Sequence, residues 1–188
     1  MPEADAAGRS GVAPSPWVVR FAGLIAPGGT VLDVACGRGR HARWLEDRGH
    51  RVTGIDRDAA ALSVCGASET IACDLETEPV TWPLAARLFD AVVVTNYLHR
   101  PLFAHLIAAL APGGVLLYET FATGHERYGR PSNPAFLLET GELLERCRGL
   151  IVVAYEDGLV SAPMPASVQR ICCTKPLGDG SVASRHAL

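Results

Sequence analysis

The sequence predicts an α/β fold, a doubly wound sheet flanked by helices, on three observations. Apolar runs alternate with helix-patterned segments from residue 30 to residue 147, as right-handed crossovers between parallel strands require. Runs such as VLDV (31–34) and AVVV (91–94) suit strands covered on both faces. Finally, two strand-like runs close the pattern with no helix between them.

The first element is a helix opening at Pro16 with Ser15 as its cap; Trp17, Phe21 and Leu24 share one face until APGG stops it. Strands are expected at 30–35, 51–56, 69–73, 89–95 and 114–120. Helices are expected at 39–48, 58–65, 101–110 and 140–147. The closing runs LIVVAYEDGLV and SVQRICCTK are joined by the short loop SAPMPA, so an antiparallel pair is the simplest linkage. No internal repeat is found.

Bulk properties narrow the function classes. A chain of 188 residues, 48% hydrophobic and 20% charged, is expected to fold as one globular domain over 15–176. The small, polar stretches 1–14 and 177–188 are expected to be flexible ends. A net charge of -3 without a Lys/Arg run argues against a nucleic-acid partner. Six cysteines without a CxxC spacing read as reduced, mostly buried thiols. With no basic leader and no apolar span, the expected compartment is the cytoplasm and no membrane partner is expected. The scattered histidines give no metal-ligand spacing.

DVACGRGRHA (33–42) carries the chemistry. Valine and leucine end in Asp33, and glycines then break the strand before a helix, a place where a ligand can approach the backbone. Gly37-Arg38-Gly39-Arg40-His41-Ala42 fits a dinucleotide fingerprint. Alternatively, the loop passes beneath a cationic ligand whose ammonium Asp33 reaches directly. Asp56 ends the second strand, seventeen positions after Gly39, where a carboxylate can accept two ribose hydroxyls. Asp74 ends the third.

LDVACGRG (32–39) resembles motif I of the class I S-adenosylmethionine-dependent methyltransferases, D/E-x-G-x-G-x-G, with Ala35 in place of the first glycine. FDAVVVTNYLH (89–99) and LAPGGVLLYET (110–120) resemble that family's fourth and fifth strand motifs. The resemblance implies a Rossmann-like seven-stranded sheet of order 3-2-1-4-5-7-6 with strand 7 antiparallel. It also implies that S-adenosyl-L-methionine is held by Asp33, Ala35, Cys36, Gly37 and Gly39, by Asp56 and Arg57, by Asp74 and Leu75 against adenine, and by Asn96. Phe136, Gly141, Glu142 and Leu143 are similar in layout to the bacterial tellurite-resistance methyltransferases, which implies a small, soft acceptor. A nicotinamide-dependent oxidoreductase and a non-catalytic S-adenosylmethionine-binding regulator are the rival readings.

Methyl transfer from a sulfonium is an in-line displacement governed by alignment and desolvation. A base is needed only when the acceptor must lose a proton. Acceptor groups are expected after strands four and five, where Tyr97, His99, Arg100, Glu119, His125, Glu126, Tyr128 and Arg130 lie. His99 is the favoured base, with Tyr97 and Glu119 beside it as catalytic candidates. Glu119 either binds a cationic acceptor or pairs with an arginine. The Asn/Asp-Pro-Pro-aromatic motif of nucleobase amino methyltransferases is absent, TNYLHRP standing in its place. The expected partner is a small-molecule acceptor, and the expected assembly a monomer or homodimer.

Overall fold

A computed structural model describes residues 12–162 and 164–178. Most of the two expected flexible ends, 1–11 and 179–188, lies outside the described residues.

The helices are α1 (Pro16–Phe21), α2 (Arg40–Glu46), α3 (Ala59–Leu62), α4 (Phe103–Ala108) and α5 (Glu142–Arg146). The strands are β1 (Thr30–Val34), β2 (Arg51–Asp56), β3 (Glu69–Ala72), β4 (Phe89–Thr95), β5 (Leu110–Phe121), β6 (Ile151–Val160) and β7 (Ala166–Thr174). They form one sheet in the order β3-β2-β1-β4-β5-β7-β6. The first five strands are parallel, and β7 runs antiparallel to both β5 and β6. Strand order and the antiparallel closing pair both match expectation.

The apolar runs explain this layering. Leu32, Val34, Val92 and Val94 point into one core with Phe103, Leu106 and Tyr118. Val31, Ala91 and Val93 point into the other with Trp17, Phe21, Ala42 and Leu45. Alternate residues of a strand face opposite sides, so a strand covered by both layers must be apolar throughout.

Local signals set most boundaries. Ser15 Oγ accepts the Trp17 N–H at 3.1 Å and fixes the start of α1, while Trp17 Nε1 donates to the Ile171 carbonyl at 3.2 Å. Asp58 caps α3 by accepting the Ala60 and Ala61 N–H groups. The helices expected at 39–48, 58–65 and 140–147 are shorter, α3 covering only Ala59–Leu62, and two further boundaries differ in kind. The segment expected as helix 101–110 opens as a 3-10 turn over Arg100–Leu102 before α4, because Pro101 fixes the first turn and cannot donate. Strand β5 begins at Leu110 rather than at 114 and shifts register against β4 between Phe89 and Ala91. Gly114 permits that irregularity, since a Cβ there would lie 2.8 Å from the Ala111 carbonyl oxygen.

With five strands parallel, their carboxyl ends share one edge of the sheet. That edge is where ligands of open α/β folds bind.

Candidate functional site

The loop after β1 is a series of tight turns. Ala35, Gly37 and Gly39 take positive φ of 51°, 53° and 75°. At Ala35, where the family motif has glycine, the left-handed backbone costs roughly 1–2 kcal/mol. Gly39 is required by a close approach: a Cβ there would lie 2.0 Å from the Cys65 carbonyl oxygen. Cys36 N donates to the Ile55 carbonyl at 3.0 Å, and its thiol lies 3.7 Å from that of Cys65. The contact with the Cys65 thiol, then burial, holds the Cys36 thiol protonated, well above its ordinary range.

Asp33 sits beneath this loop, 1% exposed. Burial above all, then the neighbouring Cys65, pushes its carboxyl up to about 8, against the opposing pull of Arg40 and the Ala42 N–H. Its Oδ2 is buried without a hydrogen-bond partner among the described residues. Direct contact between Asp33 and a ligand is therefore not what the structure presents; the carboxyl underlies the loop. A cation laid on the loop would favour its ionised form.

Asp56 ends β2 and ties the loop to it. Its Oδ2 accepts the Gly37 N–H at 2.7 Å and its Oδ1 accepts the Asp58 N–H at 2.9 Å. Each carboxylate oxygen retains a second lone pair, so hydroxyl donors can still be accepted. Asp56 lines a cleft of about 190 Å³ with Ala35, Arg57, Asp74, Leu75 and Tyr97. Leu75 is a buried apolar wall, Asp74 accepts the Glu76 N–H at 2.9 Å, and Arg57 stands 3.9 Å from Glu76. Tyr97, one of the groups expected to meet an acceptor, lines this cleft, and burial raises its phenol above the ordinary range. Its carbonyl accepts the Tyr118 hydroxyl at 2.9 Å, which holds the backbone turned that way.

A larger cleft of about 640 Å³ adjoins the first at Ala35 and is lined by Cys36, Arg40, His41, Thr95 and Asn96. Asn96 leaves β4 with a φ of 55°, and its N–H donates to the Glu119 carbonyl at 2.9 Å. These adjoining clefts give an elongated nucleoside amino acid an apolar wall, a carboxylate at the β2 tip and a bend of small residues. The residues present fit the group that the sequence resemblance implies.

Across Arg40 and Asn96 lies a cavity of about 650 Å³, walled by residues that include Ser15, Glu119, Phe121, His125, Arg130, Met164, Val168 and Arg170. Glu119 is buried here. Its Oε1 accepts the Ser15 hydroxyl at 2.8 Å, and its Oε2 lies 2.6 Å from Arg170 Nε. Of the two roles open to Glu119, the structure presents pairing with an arginine. The Ser15 N–H donates to His41 Nε2 at 3.1 Å, so the ring proton resides on Nδ1, 3.5 Å from Thr95 Oγ1. Burial, then Arg40, pushes His41 down to about 3 and keeps it neutral.

His99 is not brought to either cleft or to the cavity; it precedes the 3-10 turn at Arg100 and accepts the Leu102 N–H on its carbonyl. Ser15 and Arg170 were not singled out by sequence as acceptor-side partners of Glu119. The cap signal at Ser15 marked a helix start, not a carboxylate partner, and nothing local marks Arg170.

Known proteins support the same frame. Residues 31–114 match a family model described as a methyltransferase domain. The chain is 33% identical over 103 residues to the malonyl-[acyl-carrier protein] O-methyltransferase of Serratia marcescens, covering 52% of this chain and 40% of that one. It is 39% identical over 99 residues to the trans-aconitate 2-methyltransferase of Rhizobium meliloti (strain 1021), covering 48% and 37%. The chain thus spans about two fifths of the length of these relatives. TehB from Haemophilus influenzae shares the fold, with a TM-score of 0.69 at 19% identity over 84% of this chain and 61% of that one. Motif loop, strand order and relatives converge: residues 31–114 match the methyltransferase-domain family model, and the sheet that carries them has the fold of S-adenosylmethionine-dependent methyltransferases.

Proposed function

We propose that this protein transfers a methyl group from S-adenosyl-L-methionine to a small-molecule acceptor by direct in-line displacement. The single observation that carries the reading is the continuity of clefts and cavity along the carboxyl edge of the sheet, the first two meeting at Ala35 and the last two at Arg40 and Asn96. In this reading Asp56 takes the ribose hydroxyls, and Asp74 with Leu75 borders the adenine. Gly37 and Gly39 run under the amino-acid portion, and Asn96 borders the reacting end. When bound, the donor supplies an activated methyl on a sulfonium. The protein's own part is to align the acceptor and exclude water.

The acceptor cavity suits a small molecule. Its volume of about 650 Å³ is within the usual range for such sites. Relatives that methylate malonyl-[acyl-carrier protein] and trans-aconitate support a small or carrier-borne organic acceptor. Among the described residues no helix is long and apolar enough to cross a membrane; cytoplasmic residence and a monomeric or homodimeric state are part of this proposal. The test is to incubate the protein with a small-molecule extract and a trideuteromethyl donor. A labelled product that needs the active protein supports the reading; its absence, together with no binding of S-adenosylhomocysteine, overturns it.

A further inference from the structure

The wall of the acceptor cavity carries more positive charge than its own carboxylates neutralise. It includes three arginines, Arg40, Arg130 and Arg170, and one carboxylate, Glu119. Glu119 is paired with Arg170, whose Nε lies 2.6 Å from its Oε2. Arg170 also reaches Glu156 at 3.3 Å, and Glu156 in turn meets Arg20 at 3.3 Å. That network of two arginines and two carboxylates is balanced.

Arg40 and Arg130 stand outside it. Among the described residues neither guanidinium has a carboxylate within ion-pair distance. Arg40 donates to the neutral Thr95 Oγ1 across a long 3.4 Å. Asp33, which feels Arg40 from beneath the loop, is held protonated by burial in the free protein, and its charge, once released, is matched by the donor's own cation. The Arg130 backbone is fixed at the cavity: its carbonyl accepts the His125 Nε2–H at 3.1 Å, and that ring stacks on Phe121 with centroids 4.0 Å apart.

Position separates the two. Arg40 is half-buried and lines both the cavity and the donor-side cleft, so it stands where donor and acceptor would meet. Arg130 is exposed and lines the cavity but neither cleft. An exposed arginine by itself is a solvated surface charge of little consequence. A half-buried guanidinium without a counter-ion, on a wall shared with Phe121 and Val168, differs, because partial desolvation strengthens its attraction for an entering anion.

We infer that the methyl acceptor is a small organic anion, a carboxylic acid in its ionised form, and that Arg40, seconded by Arg130, is the specificity-determining residue that selects it. The inference rests on the methyl-transfer reading and deepens it. A guanidinium presents parallel N–H donors that match the two oxygens of a carboxylate, and the carboxylate brings the charge that the wall lacks. A neutral acceptor of the same shape would leave Arg40 unpaired, and a cationic one would be repelled.

The test divides a small-molecule extract on an anion exchanger at neutral pH and incubates each half with the protein and a trideuteromethyl donor. The labelled product should arise from the retained half, and its fragmentation should show a carboxyl group or its methyl ester. Equal or greater label in the unretained half, no label in the retained half, or a labelled phosphate ester or inorganic oxyanion overturns the inference. Arg40→Gln should raise the apparent KM for the retained fraction by about 10–100-fold with kcat little changed, and Arg40→Lys should recover part of the loss as a charge without the fork. Arg130→Gln, at an exposed site, should raise it about two- to fivefold. The wild-type KM should climb with added KCl, and that of Arg40→Gln should climb less. An unchanged KM in both glutamine variants overturns the inference. S-adenosylhomocysteine affinity should stay at the wild-type value in both; a loss in Arg40→Gln that matches the rise in KM would give Arg40 to the donor's own carboxylate and overturn it too. Should Arg40→Gln melt early, Arg130→Gln and the divided extract still decide. Failure of S-adenosylhomocysteine to bind the wild type would instead overturn the methyl-transfer reading itself.

Discussion

On the β1–β3 side, the groups proposed to hold the donor come from short contiguous stretches: Ala35 to Gly39 after β1, Asp56-Arg57 at the end of β2, and Asp74-Leu75 just past β3. On the β5–β7 side, Glu119 meets Ser15 across 104 positions of sequence and pairs with Arg170 from the closing hairpin. The donor half rests on backbone geometry at strand tips, which glycine and a terminal carboxylate can specify locally. The acceptor half rests on side chains that tertiary packing alone brings together. A fold can therefore keep the first constant while the second is changed by substitutions in separate segments.

This contrast can be broken most severely at Gly39. Gly39→Ala would set a Cβ against the Cys65 backbone oxygen in a left-handed conformation. The expected loss is more than about 4 kcal/mol of stability, read by urea denaturation; near-wild-type stability would show that the loop relaxes away from Cys65. On the acceptor side, Glu119→Ala removes the buried partner of the Ser15 hydroxyl and of Arg170 Nε, leaving Arg170 its pair with Glu156 at 3.3 Å. A loss of about 1–3 kcal/mol is expected, with Glu119→Gln recovering part of it through the Ser15 bond.

Asp33 gives a pH signature specific to the donor half. Its folded pKa of about 8 lies above the ordinary 3.8, so the folded protein keeps a proton that the unfolded chain releases. This contribution to stability is fully present below pH 3.8 and is lost as pH rises through about 8. Asp33→Asn should flatten that part of the stability profile in denaturant titrations across the window; an unchanged slope would mean that the carboxyl is ionised in the fold. The smallest effect belongs to His99. Because it lines neither cleft nor cavity, His99→Ala should leave the methyl-transfer rate within about twofold at every pH, and a larger loss would return it to the acceptor side.

Legibility followed the same division. The alternation of strands and helices, the Ser15 cap and the glycine loop are set by neighbours in sequence, and the structure repeats them. Asp33 was legible as a strand-end carboxylate, but not as a covered one: its burial, and the Cys65 that adds to the upward shift from another crossover, come only with the fold. Tyr97 and His99 follow β4 in a stretch where the chain turns twice, at Asn96 with its positive φ and at the Arg100–Leu102 turn. Periodicity does not predict which way each side chain leaves such turns. Glu119 and His125 were legible as acceptor-side groups after β5, but their partners were not: Ser15 and Arg170 meet Glu119, and Phe121 and the Arg130 carbonyl hold His125, only in the fold.

The donor site can be tested most directly by titrating S-adenosylhomocysteine into the wild type and into Asp56→Ala by isothermal calorimetry. Binding to the wild type, weakened in the variant by about 1.5–3 kcal/mol as for hydrogen bonds to a charged group, is the expected result. No heat with the wild type, or equal affinity in the two proteins, would contradict a nucleoside held at the tip of β2.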